Sequence, residues 1–316
     1  MTAYIVRRLF AALFVLLLMS FVVFRLVRWL PGDALLVKLG EAGRIPPDKM
    51  EAARKEMGID RPFMVQYASW LSRAIRGDLG RSLIWDEGVA TRLRKGVPIT
   101  LELAILSSAV AITIALPIGI LSAVKQDTLL DYIARVVAIT GLAVPSFWLA
   151  TVALLYLTLW FGWTPPLRYT PFFDDPITNL KTFILPSLIL GFSLGASLTR
   201  MTRSTVLEVL RNDYVRTARA KGLQDRIVIA RHVLKNALIP VVTIFGLQVT
   251  NLLGGSVIME SLFSFPGIGG VTLQAVSQRD YTQIQGNVLF LGTIALMMNV
   301  LVDISYAWLD PRIRYA

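Results

Sequence analysis

The chain has 316 residues, 55% of them hydrophobic and only 17% charged, and its mean hydropathy is +0.61. Soluble domains carry about a quarter charged residues, so this composition excludes an ordinary soluble protein and marks a membrane protein. The net charge of +11 would suggest nucleic acid in a soluble chain; in a membrane chain it is arginine and lysine kept on the cytoplasmic side, and no nucleic-acid partner is expected. Cysteine is absent, which removes disulfides, thiolate metal sites and cysteine nucleophiles.

A span needs about 20 mostly apolar residues. Six windows approach that length: 9–30, 100–124, 133–162, 183–199, 238–259 and 287–309. The expected fold is all-α, a polytopic membrane protein with six transmembrane helices. The first window, "LFAALFVLLLMSFVVF" behind Arg7 and Arg8, has no small-x-small cleavage site before Arg25 and Arg28. It is read as a retained first helix within 1–30 and not as a cleaved signal.

An external segment follows at 31–97. "PPDKMEAARKEMG" predicts a helix ending at Gly58, and Met64, Tyr67, Leu71 and Ile75 fall on one face of a second. Two roles stand open for it: helices lying on the membrane surface or the spans, or a cap that meets substrate. Residues 98–309 supply the remaining five helices. Pro117 and Pro145 lie inside the second and third spans, either as kinks or as packing features. The fourth window holds a GxxxG pair, Gly191 and Gly195, which allows close helix packing.

Between the fourth and fifth spans lies a basic insert, 200–237. It carries Arg200, Arg203, Arg211, Arg216, Arg219, Lys221, Arg226, Arg231 and Lys235 against Glu208, Asp213 and Asp225. The loops 163–182 and 260–286 have only Arg168, Lys181 and Arg279. The insert is therefore expected in the cytoplasm, together with both termini and the tail 310–316. The mixed charge of 31–97 does not contradict this, because loops beyond about 60 residues translocate largely regardless of charge.

Leu207, Leu210, Tyr214 and Ala218 recur at helical spacing, Gly222 is placed to close that helix in a left-handed conformation, and Ile227, Ala230, Leu234 and Leu238 resume the period. Two short helices broken at one glycine are expected. The stretch from Leu207 to Ala220 reaches about 21 Å at 1.5 Å per residue, enough to carry the bend beyond the headgroups. A partner-docking element, a patch on anionic lipid and a plain connector all fit this pattern. A DNA-binding helix-turn-helix is disfavoured, because the unit is tethered to spans at both ends.

"YVRTARAKGL" followed by "NALIP" resembles the cytoplasmic EAA loop of permease subunits in bacterial ABC importers, in the form found in the dipeptide, oligopeptide and nickel group. "RLVRWLPGD", "YASWLSRAIRGDLGRS", "PITLELA", "ESLFSFPGIGG", "RDYTQIQG" and "NVLVDISYAWLDPRIRYA" extend the resemblance over nearly the whole chain. One departure is that Arg216 and Thr217 stand where the general motif has glutamate and alanine. The resemblance implies a type I ABC importer permease fold in the bacterial inner membrane, moving peptides or similar small solutes. It also implies four kinds of neighbour: a second homologous permease, two ATP-binding subunits, an extracytoplasmic substrate-binding protein, and the lipid bilayer. By the same resemblance Tyr214, Arg216, Thr217, Ala218, Lys221, Gly222 and Asp225 belong to the loop that couples to an ATPase.

The remaining chemistry fits a subunit without catalysis. There is no GxxxxGK[ST] phosphate loop, so no cofactor is expected on this chain, and ATP and magnesium are expected on partner subunits. Pro266, Gly267, Gly269 and Gly270 of "PGIGG" are expected to form a turn, since Thr272 stands where a dinucleotide fingerprint needs its last glycine. His232, the single histidine, is expected to be a polar surface or headgroup-facing residue and not a metal ligand. Two acids fall inside spans. Glu102 lies near the external end, and Asp303 about 9 Å inside the cytoplasmic one. A structural ion pair of Asp303 with Arg135 or Arg200 is expected in preference to substrate binding. An ion-gradient-driven secondary transporter is the alternative function; it calls for an inverted repeat and more mid-depth ionisable residues, neither of which is apparent. A membrane-embedded enzyme lacks a catalytic constellation.

Overall fold

The computed structural model describes residues 2–29, 61–82, 84–166 and 169–309. The helix expected in "PPDKMEAARKEMG" and the tail 310–316 lie outside the described residues. Among the described residues the elements are helical, apart from an isolated antiparallel bridge between Arg81 and Gly88. Among the described residues five helices are long and apolar enough to cross a bilayer, and a sixth crossing arises if one bent pair counts as a single span.

The fold divides into two compact units. One has its described residues within Thr2–Thr100 and Pro266–Met297. Here α1 (Thr2–Trp29) packs on α2 (Phe63–Ile75) through aromatic rings. Phe24 meets Phe63 at 5.5 Å and Trp70 at 5.3 Å between centroids, and Phe21 meets Tyr67 at 5.3 Å. Ring contacts of this kind, edge-on for Phe24–Phe63 and Phe21–Tyr67 and tilted for Phe24–Trp70, add to the apolar burial. Tyr67 and Ser20 share a hydrogen bond of 2.8 Å, which satisfies a hydroxyl buried in the first span. The packing face is therefore Phe63, Tyr67 and Trp70, one step round from the expected one. Met64 and Ile75, placed on the apolar face by spacing alone, are 63% and 76% exposed.

In the same unit α3 (Val89–Val124) begins after a short hairpin closed by Val89 N–H to Gly80 O and Ser82 N–H to Glu87 O. The segment "PGIGG" is only partly a turn. Pro266 and Gly267 precede α10 (Ile268–Ser277), and Gly269 and Gly270 sit inside its first turn. The Ile268 N–H that would otherwise be orphaned at this helix start donates to Thr100 Oγ1 at 2.9 Å. Ser82 donates to Asp280 just ahead of α11 (Tyr281–Leu309), and Asp280 also accepts from Gln283 N–H at 3.1 Å. The buried carboxylate is thus matched by donors from both segments.

The second unit spans Leu101–Phe265 with the last helix from Met298. Its centre is α6 (Pro176–Leu210), on which α4 (Leu129–Ala143), α5 (Ser146–Phe161) and α8 (Leu234–Gly255) all pack. Asp175 caps α6 by accepting from Thr178 N–H at 3.1 Å, with Pro176 at the first helical position. The Asp175 carboxyl is held below the usual range by these Thr178 hydrogen bonds. At 35 residues this helix is about 52 Å long, well past the roughly 30 Å hydrocarbon core, so part of it must leave the lipid.

The GxxxG pair does pack closely. A side chain on Gly191 would come within 2.5 Å of Val110 and 2.8 Å of the Ser107 carbonyl on α3, while Gly195 faces Ala111 at 3.5 Å. Pro145 does more than kink the third window, because α4 and α5 meet at 96°. The residue before a proline is driven to extended backbone, and Val144 (φ −87°, ψ 121°) is the joint. Pro117, by contrast, lies within unbroken helix.

Candidate functional site

The basic insert forms a sharp bend. After α6 ends, Asn212 leads into α7 (Asp213–Ala220), whose close is sealed by two hydrogen bonds. Leu223 N–H reaches Ala218 O at 3.4 Å and Gly222 N–H reaches Arg219 O at 2.9 Å. This is a Schellman stop, and it needs a left-handed residue. Gly222 supplies it with φ +79° and nothing within 4 Å of where a side chain would point.

Helix resumes at Asp225, runs through a π-turn (Val228–Val233) and continues directly into α8. The second short helix expected here is therefore the root of the fifth span, not a separate element. A π-turn widens the helix by one residue. Both its ends, Val228 and Val233, are fully buried.

Opposite faces of α7 have opposite environments. Val215 and Ala218 are buried in a cluster with Ala123, Val206, Val228, Val233 and Ala237. Arg216, Thr217, Lys221, Gly222 and Asp225 are exposed, and so are Leu223 and Gln224 at the tip. Thr217 spends its hydroxyl on Asp213 O at 2.9 Å. Tyr214 accepts from Asn236 Nδ2 at 2.9 Å and donates to the His232 carbonyl at 3.5 Å, tying α7 to the π-turn. Arg219 and Asp225 pair across the bend at 2.9 Å.

Of the seven residues expected in this loop, six are exposed on the bend. Ala218 instead faces the chain's own core. His232 is half-buried, and among the described residues no group of three or more acids or histidines could hold a metal.

Beneath the bend lies a charge centre that sequence reading did not find. Asp131 is fully buried and accepts from Arg203 twice, at 2.7 and 2.8 Å, from Ser122 at 2.5 Å and from Asp127 N–H at 3.1 Å. Arg135 lies 3.5 Å from the same carboxylate. One side chain thus joins the end of α3, the turn after it, α4 and α6. Arg203 is therefore a structural counter-ion and not a free cytoplasmic charge. Arg135, expected beside Asp303, is beside Asp131; Arg200 is exposed, and the Asp303 side chain lies outside the described residues. The signal available in the sequence was Asp131 and Arg135 at i, i+4, with Arg203 one turn from the buried Thr199 and Val206.

At the other end of the unit Glu102 accepts from Tyr169 at 3.2 Å. Burial first, and then the Glu102 charge, push the Tyr169 hydroxyl up to about 12.

Residues 115–315 match the binding-protein-dependent transport system inner membrane component family, and residues 1–104 match the N-terminal region of such membrane components. The chain belongs to this family. The dipeptide transport system permease protein DppB of Alkalihalophilus pseudofirmus is 38% identical, over 100% of both chains. The di/tripeptide transport system permease protein of Pseudomonas aeruginosa is also 38% identical, over 100% of this chain and 99% of that one. In fold, a solved amino acid ABC transporter matches with a TM-score of 0.54 at 15% identity, covering 69% of this chain and 94% of that one. The protein is thus a multi-pass permease subunit of an ATP-driven, binding-protein-dependent importer with a type I permease fold. Membership supports this reading and not the ion-gradient-driven alternative.

Proposed function

We propose that this permease forms half of a translocation path for short peptides or similar small solutes, and that the bend at Gly222 is its contact with a separate ATPase subunit. A single observation carries the reading: α7 is exposed along its tip and locked along its underside, where Val215 and Ala218 pack against α3, α6 and the π-turn. A push on Thr217, Lys221 or Gly222 therefore reaches the roots of α6 and α8 together. The substrate class follows from the relatives named for dipeptide and di/tripeptide transport.

The complete transporter would comprise this chain, a second homologous permease, two ATP-binding subunits that hold ATP and magnesium, and an extracytoplasmic binding protein. The chain itself would hydrolyse no ATP. It would sit in the bacterial inner membrane with both termini and the bend in the cytoplasm, because the bend carries the excess of basic residues. Affinity purification from native membranes, with mass spectrometry of the co-purified proteins and of the solute on the binding protein, tests this. Recovery of ATP-binding subunits and a peptide-loaded binding protein is the expected result. ATP hydrolysis by the isolated chain, or solute accumulation driven by an ion gradient alone, would overturn it.

A further inference from the structure

The facing surfaces of α5 and α6 leave a groove of about 420 Å³ on the side away from the bend. Its walls are Leu157 and Phe161 from α5 and Ile184 and Leu188 from α6, and its rim carries Trp163 and Lys181. From Lys181 to Leu188 the groove follows α6 for about 10 Å at 1.5 Å per residue. One end is thus polar and the rest is hydrocarbon.

We propose that this groove holds one anionic phospholipid, with an acyl chain along the Ile184 and Leu188 wall and the phosphate on Lys181. Three observations select that occupant. Lys181 is exposed and makes no ion pair within hydrogen-bonding reach among the described residues, and Asp175, the carboxylate whose charge it meets at longer range, is engaged in capping Thr178. The end of α5 that carries the groove wall is strongly apolar where it meets the surroundings: Phe161, which lines the groove, is 74% exposed, and its neighbours Leu159 and Trp160 outside the groove are 68% and 72% exposed. Finally, tryptophan and lysine at the end of a span form the pair that sits at headgroup level, the lysine stem lying on apolar surface with its ammonium in the polar layer. A soluble solute would leave the long apolar wall unused, and a free phosphate would leave it in contact with water. The assignment requires only that the spans lie in a bilayer and holds on either side of it.

The test uses the complete transporter in nanodiscs containing equal phosphatidylglycerol and phosphatidylcholine, with retained lipids counted by native mass spectrometry. One lysine near a charged headgroup predicts about five-fold preference for phosphatidylglycerol. Lys181→Gln should abolish the preference, Lys181→Arg should keep it, and Leu188→Trp, which fills the groove, should reduce retention of both lipids. Equal retention of the two lipids by the unaltered transporter would overturn the proposal, as would a preference that survives Lys181→Gln. Because the chain has no cysteine, a single Ile184→Cys gives a further arm. Efficient cross-linking of that cysteine to the second permease would show protein and not lipid in the groove. Labelling by a lipid-soluble maleimide would support the lipid.

Discussion

Arg203–Asp131 and Arg219–Asp225 are the same chemical pair at nearly the same distance, 2.7 and 2.9 Å, yet they do different work. The first carboxylate is fully buried and receives two guanidinium hydrogen bonds, a hydroxyl and a backbone N–H. The second pair is single-contact, with its members 46% and 73% exposed. Burial multiplies the loss when one partner is removed, because the survivor is left charged and unsolvated, whereas water and ions replace an exposed partner cheaply. The permease therefore places its fixed joint under the bend and an adjustable one at the tip.

The largest expected effect breaks the fixed joint. Asp131→Asn leaves Arg203 without its counter-ion and should destabilise the protein by about 3 kcal/mol, the lower end for a buried pair because Arg203 keeps 19% exposure. The measurement is the melting temperature of the purified complex. Replacing both partners, Asp131→Leu with Arg203→Met, should recover most of the loss. If the double variant melts as low as the single one, packing and not charge is what the site provides.

Next comes the seam that this joint braces. Gly191→Ala puts a methyl against Val110 and the Ser107 carbonyl and should cost about 1–3 kcal/mol by overpacking. Gly195→Ala meets Ala111 at an ordinary 3.5 Å and should be neutral or slightly stabilising, since alanine favours helix over glycine. Equal effects in a thermal assay would mean that the GxxxG pair acts through sequence propensity and not through contact.

These contrasts also mark what the sequence makes legible. Apolar length marks the five long spans but not the bent pair in the third window, and the glycine after a helical period marks the stop at Gly222, because both are local properties of a few neighbouring residues. The face of α2 was misplaced by one residue: Phe63, at the very start of the helix, counts as much as Trp70 once α1 is beside them, and spacing alone does not see the partner. Asp131 was missed for a related reason. Its partners Ser122 and Arg203 lie on other helices, so the residue looks like a flanking charge until the fold assembles. Pro145 announces a break but not its 96° size, which depends on what α4 and α5 pack against. The π-turn leaves no mark in the period of Ile227, Ala230, Leu234 and Leu238; the face that is buried follows Val228, Val233 and Ala237 instead.

Third is the hinge itself. Gly222→Val forces a β-branched residue to φ +79°, a strain of about 1–2 kcal/mol. The open space around Gly222 means that this strain is the whole effect, so membrane insertion and assembly should persist. Under the proposed function the variant complex should lose most of its uptake and the response of its ATPase activity to loaded binding protein, while Ile227→Val should be nearly silent. Normal uptake by a fully assembled Gly222→Val complex would detach the bend from energy coupling.

The smallest expected effect, and the one that sharpens the comparison most, is Asp225→Asn. It removes the adjustable joint while leaving the Schellman stop and the buried cluster intact. An exposed pair contributes at most about 1 kcal/mol, so the melting temperature should not move measurably. What should change is how well the tip holds its shape, because Arg219 and Asp225 bridge the two sides of the Gly222 turn next to the glycine, while the Tyr214–Asn236 bond ties them further back. Uptake at low ionic strength should fall by no more than about five-fold, the rate equivalent of that energy. At 1 M salt the Debye length shrinks to about 3 Å, and the unaltered permease should descend to the variant's level. Exchanging the charges, Arg219→Asp with Asp225→Arg, should restore the salt-sensitive part, since the contact depends on opposite charge and not on which side carries it. A deficit that ignores both salt and charge exchange would assign the Asp225 carboxylate to the partner surface and not to the bend.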